Sequence, residues 1–437
     1  MRVIYEKALI IDGSGTLPFE GSIGVAEDKI SFVEKKCAPT DWADAEKIDL
    51  TGYTVIPGLI DCHVHLVSPW TPGTHEPYWK LVSSPSVKCL TALANANMTL
   101  GAGFTTIRNC GGTSWTMPED VCARDAISSG MSDGPRILAA AGGITMTGGH
   151  GDRAFPPYMP AHPEIGFGVV PADGPDECRK SVRERIKFGA DFIKIYTTGG
   201  VSTVGDGPHS IDFTMDELRA IMDEAHSHGK RVATHAQGLS GIRNAVLAGV
   251  DTVEHGSFLD EETAEEMARR GIYIVTTLRV FQEILKRGQN YPNPEALLKA
   301  QLVYEAQKNA LSLAKRSGVT IAFGTDASQS VRNGDNALEM EALVNAGFTP
   351  METLLMATRN AASALGLDDM LGTLSTGKKA DFVVLATNPL TNISAVCDKR
   401  NVRCVVVSGN AKVLRDRAGI EYRSKSFPSD IVRHVLR

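Results

Sequence analysis

The feature that most constrains the fold is an alternation in the middle of the chain, where short apolar runs are each followed by a helix-like segment. Eight such runs end in small or polar residues: GLIDCHVH, TTIRNC, RILAAAG, DFIKIY, RVATHA, TVEHG, YIVTT and TIAFGTDA. Strands that alternate with helices are typical of parallel βα units. Eight units predict an α/β fold of the (β/α)8 TIM-barrel type over residues 58–368.

The helix-like segments carry their own end signals. In TMDELRAIMDEAHSHG, Thr214 stands at the N-cap position and Glu217 follows three residues later, as a capping box requires. Gly229 follows the last turn, where glycine commonly ends a helix. The segment is therefore predicted to be one helix between two strands.

Both ends of the chain have a residue pattern that differs from that of the middle. Residues 1–57 contain VIYEKALII, SIGVAEDKISFVE and KIDLTGYTVIP, which are β-branched, partly alternating and broken by Gly, Pro and Asp turns. ADFVVLAT and VRCVVVSGNAKVL show the same β-rich pattern near the end. We expect one small β-sandwich domain built from both termini, residues 1–57 plus 369–437.

Composition excludes several classes of protein. A chain of 437 residues with 43% hydrophobic and 22% charged residues can bury a large core, which excludes disorder and a disulfide-stapled scaffold. The net charge of −6 forms no long block of one sign, so neither nucleic acid nor a membrane is an expected partner. The scattered cysteines form no CxxC pair. The start lacks a signal-peptide pattern and no apolar run approaches the ~18 residues of a membrane span, so a cytoplasmic protein is expected.

Metal-binding residue types recur at the ends of the predicted strands. His63 and His65 stand two apart in GLIDCHVHL and therefore share one side of a strand. His235 ends RVATHA, His255 ends TVEHG and Asp326 follows IAFG. The carboxyl ends of barrel strands converge on one face, and imidazole and carboxylate ligands suit Zn²⁺ and similar ions. The sequence therefore predicts a metal centre.

A lysine also lies among these strands. Lys194 stands in the apolar run DFIKIY, where a charge is unfavourable. Burial and neighbouring positive charge lower a lysine pKa, and the neutral amine can react with CO₂. The resulting carbamate has two oxygens and can bridge two metal ions about 3.5–4 Å apart, which would acidify a shared water to a hydroxide nucleophile. Asp326 would hold one metal, take the proton of that water and pass it to the leaving group.

The order GLIDCHVHL, FIKIY, THA, EHG and GTDAS resembles the amidohydrolase superfamily of metal-dependent hydrolases. The resemblance covers nearly the whole chain, including GTLSTGKKADFVVLATNPL near its end. It implies two divalent ions, taken as Zn²⁺. His63, His65 and Asp326 would hold the more buried ion. His235 and His255 would hold the more exposed one, with the carboxylated lysine of FIKIY as a bridge. It also implies hydrolysis of a C–N, C–O or P–O bond by metal-activated hydroxide.

Three glycine-containing segments indicate which group within the superfamily the chain resembles. TTIRNCGG, TMTGGHGD and KIYTTGGV resemble the imidazolonepropionase-like group. That group includes Xaa-Pro dipeptidases, other metal-dependent carboxypeptidases of dipeptides and N-acyl amino acids, and ochratoxin-type amidases. Asn109 departs from the pattern, since relatives often carry Asp there, and we interpret it as serving a local hydrogen bond.

Three further residues are candidates for contact with substrate. His150, in GGHGD, would polarise the scissile carbonyl or bind a substrate carboxylate; the alternative is a loop histidine that supports the glycine-rich backbone. Tyr196 would offer its phenol to substrate or pack between strand and helix. Arg279, in TTLRVF, is a candidate clamp for a terminal carboxylate, the alternative being a surface arginine.

Two loops are expected to serve the site. The segment from Thr147 to Pro175 is too long for an ordinary connection and is predicted to be a functional loop. Its FPPYMPAHP stretch indicates a substrate with an apolar part. His75, in the loop after the first barrel strand, lies among aromatic residues that would line a pocket or only pack.

These features together predict a binuclear metal amidohydrolase that cleaves the amide bond of a dipeptide or N-acyl amino acid, a small-molecule substrate. The alternatives are ring opening of a cyclic amide and hydrolysis of a carbamate or thiocarbamate. Cyclic substrates lack a free carboxylate, so dependence of the rate on Arg279 or His150 would separate them. A non-catalytic assembly protein on this fold would usually have lost metal ligands, whereas all six are retained here. Homo-oligomers are common among such barrels.

Overall fold

The structure is a computed structural model that describes residues 2–35, 39–69, 76–112, 114, 117–152, 169–291 and 293–436. His75, the FPPYMPAHP stretch and most of the loop from Thr147 to Pro175 lie outside these residues. In the part of the chain that is described, no helix combines the length and the apolar character that a membrane span needs.

The strands follow one another along the whole chain. In order they are β1 (Arg2–Ile10), β2 (Phe19–Ala26), β3 (Lys29–Glu34), β4 (Glu46–Asp49), β5 (Thr54–Pro57), β6 (Leu59–Val64), β7 (Phe104–Asn109), β8 (Arg136–Ala139), β9 (Gly143–Thr145), β10 (Val169–Pro171), β11 (Ile193–Tyr196), β12 (Val232–Ala236), β13 (Thr252–His255), β14 (Tyr273–Val275), β15 (Ile321–Ala322), β16 (Phe382–Leu385), β17 (Val402–Val407), β18 (Asn410–Arg415) and β19 (Glu421–Arg423). Each of the eight predicted barrel strands overlaps a strand of the structure.

The helices lie between these strands. They are α1 (Glu76–Val82), α2 (Pro85–Gly101), α3 (Glu119–Ser128), α4 (Pro175–Lys187), α5 (Met215–Ser227), α6 (Leu239–Ala248), α7 (Glu261–Arg270), α8 (Leu278–Arg287), α9 (Pro294–Arg316), α10 (Leu338–Asn345), α11 (Pro350–Leu355), α12 (Ala361–Ala364), α13 (Ser394–Cys397) and α14 (Ser429–Leu436). The helix predicted from its end signals is α5. The hydroxyl of Thr214 accepts the backbone N–H of Glu217, whose carboxylate accepts the N–H of Thr214, so the capping box is confirmed.

The middle of the chain forms two parallel sheets. One contains β6, β7 and β8, and the other has the order β10-β9-β11-β12-β13-β14-β15. Their strands pair with their neighbours in parallel register. From β6 to β8 and from β11 to β15, successive strands are therefore neighbours in the sheets with helices between them, as the βα alternation predicts.

Backbone contacts relate the two parallel sheets to each other. On one side, the N–H of Cys62 in β6 donates to the carbonyl of Phe323 just after β15, at 2.9 Å. Further along the same two segments, the N–H of Asp326 donates to the carbonyl of His63 at 2.8 Å. On the other side, β8 and β9 are successive stretches of chain, with β8 paired to β7 and β9 paired to β11. This contact pattern brings the first and last predicted strands together.

The two ends of the chain share one mixed sheet. Its order is β19-β18-β17-β16-β5-β1-β2-β3, with β4 beside β1. The two ends meet where β5 pairs antiparallel with β16, so that Pro57 lies opposite Phe382. Phe382 also makes an edge-to-face contact with Tyr5, with ring centroids 4.9 Å apart. Residues from both termini are thereby buried in a common apolar cluster.

Candidate metal centre

Three predicted ligands converge where β6 meets the turn after β15. The ligand atoms of His63, His255 and Asp326 all lie within 4.8 Å of one another. Oδ1 of Asp326 is 3.2 Å from Nε2 of His65 and 3.8 Å from Nε2 of His63. Both histidines of the HxH pair therefore point toward the same carboxylate, as their spacing on β6 predicts.

The backbone at two of these ligands has an unusual conformation. His255 has φ of 71° and Asp326 has φ of 53°, a left-handed region that non-glycine residues seldom adopt. His255 is the last residue of β13, and Asp326 lies in the turn after β15. Such conformations persist where the surrounding structure holds them and tend to occur at functional sites.

His235 extends the cluster, and His255 is held within it by a hydrogen-bond partner. His235 lies at the end of β12 with its ring centroid 4.6 Å from that of His255. Nδ1 of His255 is 2.7 Å from the hydroxyl of Thr277, and that hydroxyl also accepts the side-chain amide of Gln307. The His255–Thr277 contact fixes the ring and leaves Nε2 as the nitrogen for a ligand.

Lys194 lies beside this cluster in an apolar setting. Its side chain is almost fully buried, and Nζ has no hydrogen-bond partner among the described residues. Nζ lies 5.4 Å from the centre of the Tyr196 ring on the same strand. A buried amine without a partner is unfavourable, and conversion to a carbamate would place two acceptor oxygens there. The orphaned Nζ therefore fits a lysine that is modified when the centre is complete.

Three of the predicted histidine ligands have lowered pKa values, so that each has a nitrogen lone pair available to bind a metal. Burial and the charge of Lys194 hold the pKa of His63 well below its usual range. Burial, together with His150, His255 and Lys194, does the same for the pKa of His235. Burial lowers the pKa of His255 to about 4. These rings are neutral at neutral pH, which is the form that binds metals.

For Asp326 the surroundings favour the charged form, whereas for the histidines they favour the neutral form. Burial alone would raise its pKa, but the hydrogen bond from His65 and the electrostatic interaction with the surrounding histidine rings hold the pKa of Asp326 well below its usual range. The carboxylate is therefore ionised beside neutral imidazoles. Neutral imidazoles with one carboxylate form a donor set suited to Zn²⁺, so the residues present fit the implied metal.

A buried network that sequence reasoning missed supports His63. Nδ1 of His63 is 2.8 Å from Oε2 of Glu254. Oε1 of the same carboxylate accepts hydrogen bonds from Arg108 at 2.6 Å and from the hydroxyl of Thr252 at 2.5 Å. Glu254 and Arg108 are charged residues inside the apolar strands TVEHG and TTIRNC, and that signal could have identified them.

Asp61 is a second buried carboxylate that sequence reasoning missed. It accepts the hydroxyl of Thr325 at 2.6 Å and the side-chain amide of Asn336 at 2.8 Å. It also accepts the backbone N–H groups of His63 and Thr325. Burial raises the pKa of Asp61 to about 6. Asp61 therefore ties the strand that carries the HxH pair to the turn that carries Asp326.

His150 lies against the histidine cluster. Its ring stacks on that of His235, with centroids 4.4 Å apart and an interplanar angle of 14°. Its Nδ1 is 2.8 Å from Oδ2 of Asp206, a residue that sequence reasoning did not single out. The structure thus brings His150 to the predicted ligands.

Tyr196 also lies at this cluster. Its ring centroid is 5.8 Å from that of His150 and 5.9 Å from that of His235. A Cβ on Gly143 would come within 3.1 Å of the phenol oxygen, so a glycine there makes room for the tyrosine. Burial raises the pKa of Tyr196 above its usual value, which keeps the phenol protonated and able to donate a hydrogen bond.

Arg279 is placed differently. It lies in the first turn of α8, and Nη2 is bonded to Oε1 of Glu283 at 2.6 Å. Its backbone N–H and that of Leu278 donate to the buried carboxyl group of Glu339, which satisfies the start of the helix. Among the described residues, no hydrogen bond or ion pair joins the guanidinium to the six predicted ligands, to His150 or to Tyr196.

The interpretation of Asn109 as a local hydrogen-bonding residue is confirmed. Its Oδ1 accepts the N–H of Leu66 at 2.8 Å, just after the HxH strand. Its Nδ2 donates to the carbonyl of Gly111 at 2.9 Å and to Asp120 at 3.2 Å. Asn109 therefore shapes the turns beside the site.

Known proteins resemble the chain in both sequence and structure. A sequence model of the Amidohydrolase family matches residues 54–412. Ochratoxinase of Aspergillus niger is 31% identical over 429 residues, covering 94% of this chain and 86% of that protein. A Xaa-Pro dipeptidase solved with methionine in its active site is 33% identical, with a TM-score of 0.83 and coverage of 97% and 100% of the two chains. A prolidase complexed with N-methylphosphonate-L-proline is 30% identical, with a TM-score of 0.85 and coverage of 94% and 99%.

These similarities and the site define the class: a TIM-barrel enzyme that hydrolyses amide C–N bonds. The chain belongs to the amidohydrolase family. The superfamily resemblance that the motifs indicated is therefore confirmed, and the non-catalytic alternative is set aside.

Proposed function

We propose that this amidohydrolase cleaves the amide bond of a dipeptide or N-acyl amino acid at a binuclear Zn²⁺ centre. The observation that carries the proposal is the convergence of His63, His255 and Asp326, with ligand atoms within 4.8 Å, beside the unpartnered Nζ of Lys194. Relatives described as ochratoxinase and as Xaa-Pro dipeptidase support the substrate class.

The residues divide into two ligand groups that share one bridge. His63, His65 and Asp326 would hold the first ion, and His235 and His255 the second. The carbamate formed from Lys194 and CO₂ would contribute one oxygen to each. When bound, the ions would acidify a water and polarise the scissile carbonyl.

The side chains of the chain itself supply proton transfer and orientation. The ionised carboxylate of Asp326 accepts a proton from the attacking water and returns it to the leaving amine. The phenol of Tyr196 keeps its proton and donates a hydrogen bond to the substrate. His150, stacked on His235, binds the carbonyl or the carboxylate of the substrate.

One observation favours the second candidate, hydrolysis of a cyclic amide. Nη2 of Arg279 is already bonded to Glu283, which occupies one of the donors that a carboxylate clamp would use, although Nε has no hydrogen-bond partner among the described residues. A substrate without a free carboxylate would not need that clamp. Imidazolonepropionase of Rhizobium rhizogenes is a more distant relative, 26% identical over 386 residues.

We also propose that the terminal segments, residues 1–57 and 369–437, form a β-sandwich domain beside a barrel of residues 58–368. The support is the shared apolar cluster and a backbone contact between the β2–β3 turn and the segment before β16: the N–H of Ala380 donates to the carbonyl of Asp28 at 2.9 Å. Limited proteolysis would test the boundary near residue 369, where the chain is exposed, with cleavage expected there before cleavage within either unit.

The substrate class can be tested by release of free amino acid from a library of dipeptides and N-acyl amino acids. The protein would be loaded with Zn²⁺ in bicarbonate buffer, and Asp326→Asn would be the inactive control. Cleavage with a preference at the C-terminal residue would support the proposal and identify the side-chain preference. No cleavage by protein with two bound metals would contradict it and favour cyclic amides or carbamates.

A further inference from the structure

His150 is held by a buried acid on a neighbouring loop. Oδ2 of Asp206 lies 2.8 Å from Nδ1 of His150, and the hydroxyl of Thr203 lies 3.1 Å from the same nitrogen. The side chain of Asp206 is only 4% exposed and that of His150 only 12%. A carboxylate this deeply buried needs a compensating partner, so its other contacts are informative.

That partner comes from helix α9. Nζ of Lys299 lies 3.6 Å from Oδ1 of Asp206 and donates a hydrogen bond to the carbonyl of Thr203 at 2.7 Å. Lys299 is itself paired with Glu295 at 2.7 Å. One buried lysine thus offsets the charge of Asp206 and anchors the loop that carries it.

The loop holds His150 at the backbone as well as at the ring. Oδ2 of Asp212, at the far end of the loop, accepts the N–H of His150 at 2.9 Å. The side chain of Asn293 donates to the carbonyl of Ser202 at 3.1 Å, which ties the loop to the start of α9. Gly200 packs on the imidazole, where a Cβ would come within 2.3 Å of a ring carbon.

These contacts leave the ring little freedom. One face stacks on His235 at 4.4 Å and Nδ1 is engaged by Asp206. With the Nδ1 hydrogen donated to the carboxylate, Nε2 is the nitrogen left to meet a substrate.

We infer that Asp206, supported by Lys299, is a positioning residue that fixes the orientation and tautomer of His150 for its contact with substrate. The inference rests on the proposed role of His150. In a purely structural role, Asp206 would only stabilise the loop. Its removal would then lower kcat/KM by the same factor with or without His150, whereas a positioning role requires His150.

A double-mutant cycle separates these roles. The variants are Asp206→Ala, His150→Ala and their combination, with Asp216→Ala as the control because its side chain is 81% exposed on α5. We expect Asp206→Ala to lower kcat/KM by about 10–100-fold. In the His150→Ala background we expect it to change kcat/KM less than about twofold, with zinc content unchanged. An equal loss in both backgrounds would overturn the inference.

A spectroscopic measurement tests the same point without a substrate. In protein labelled with ¹⁵N-histidine, with and without Zn²⁺, the inference predicts that His150 carries its hydrogen on Nδ1 and that Asp206→Asn yields a mixture of tautomers. An unchanged His150 tautomer in Asp206→Asn would contradict the inference. If no amide substrate is found, the proposed function fails, but this measurement still decides the role of Asp206.

Discussion

Nδ1 of His63 lies 2.8 Å from Oε2 of Glu254, so a predicted metal ligand is tied to a carboxylate that is fully buried. The other oxygen of Glu254 is bonded to Arg108. Nε2 of His63 is therefore the nitrogen on the side of Asp326, 3.8 Å from Oδ1. A carboxylate in this position fixes the tautomer of a ligating histidine and increases its basicity.

This relationship predicts that Glu254→Gln weakens metal binding. The change keeps the shape of the side chain but removes the charge that His63 and Arg108 contact. We expect the affinity for Zn²⁺ to fall about 10–100-fold, measured by competition with a chromophoric chelator. The apo protein should also melt at a lower temperature, because Arg108 is left buried without its charged partner.

Glu265→Gln is the matched control for that experiment. Glu265 is an exposed glutamate on α7, so the same chemical change should leave zinc affinity and melting temperature at wild-type values. Wild-type zinc affinity in Glu254→Gln would contradict the supporting role of Glu254.

The unpartnered amine of Lys194 predicts a carbamate. Protein prepared in ¹³C-bicarbonate should show a carbamate carbon signal by NMR that is absent in Lys194→Ala. The same variant should lose turnover to the background rate, and short acids such as formate or propionate should restore part of it by supplying the missing carboxylate. Lys180→Ala, a change at an exposed lysine on α4, should keep both the signal and the turnover. Failure of every short acid would weaken the carbamate assignment.

Asp326→Asn should lower turnover without lowering the stability of the fold. Asn is one of the few residues that tolerate a positive φ, and the backbone hydrogen bond from residue 326 to His63 does not involve the side chain. We therefore expect the melting temperature of the apo protein to change little. Turnover should fall by about 10²–10⁴-fold, because the group that accepts and returns the proton is lost. Near-wild-type turnover would refute that role.

Glu339 predicts a pH dependence of stability that does not involve the metal centre. Burial raises the pKa of Glu339 to about 8; the N–H groups of Arg279 and Leu278 act in the opposite direction, while the charge of Asp61 adds to the increase. Because the folded pKa exceeds the unfolded one, the contribution to stability is full at low pH and is lost as the pH rises toward and through 8.

Glu339→Gln, which mimics the neutral carboxyl group, provides the measurement. In melting curves of the apo protein between about pH 5 and 9, the wild type should lose stability more steeply than the variant. Parallel profiles for the two proteins would show that Glu339 does not titrate in this range.

Much of the site was predictable because its signals are local. The HxH pair shows its shared direction through the two-residue period of a strand, and the structure indeed points His63 and His65 at one carboxylate. The capping box at Thr214 is equally local, since its residues are three apart. Residues at the ends of successive parallel strands meet by a general rule of the fold, which is why His235, His255 and Asp326 could be grouped from sequence.

Other assignments depended on contacts between distant parts of the chain. Arg279 stands at the end of a barrel strand, like the ligands, but the position of Glu283 one helical turn away gives its guanidinium a partner. Asp206 lies in a glycine-containing loop without periodicity, and nothing in its neighbourhood in sequence indicates the histidine that it contacts 56 residues away.

The sequence by itself therefore determined the βα architecture and which residue types form the candidate metal centre, because hydrophobic period and strand-end position are properties of short segments. Only the tertiary structure decided how those ligands are held. Glu254 contacts His63 across 191 residues, and Asp61 contacts Asn336 across 275. Such pairs form because strands distant in the chain become neighbours in the sheet, and each buried charge must then find its partner among the side chains that folding places within reach.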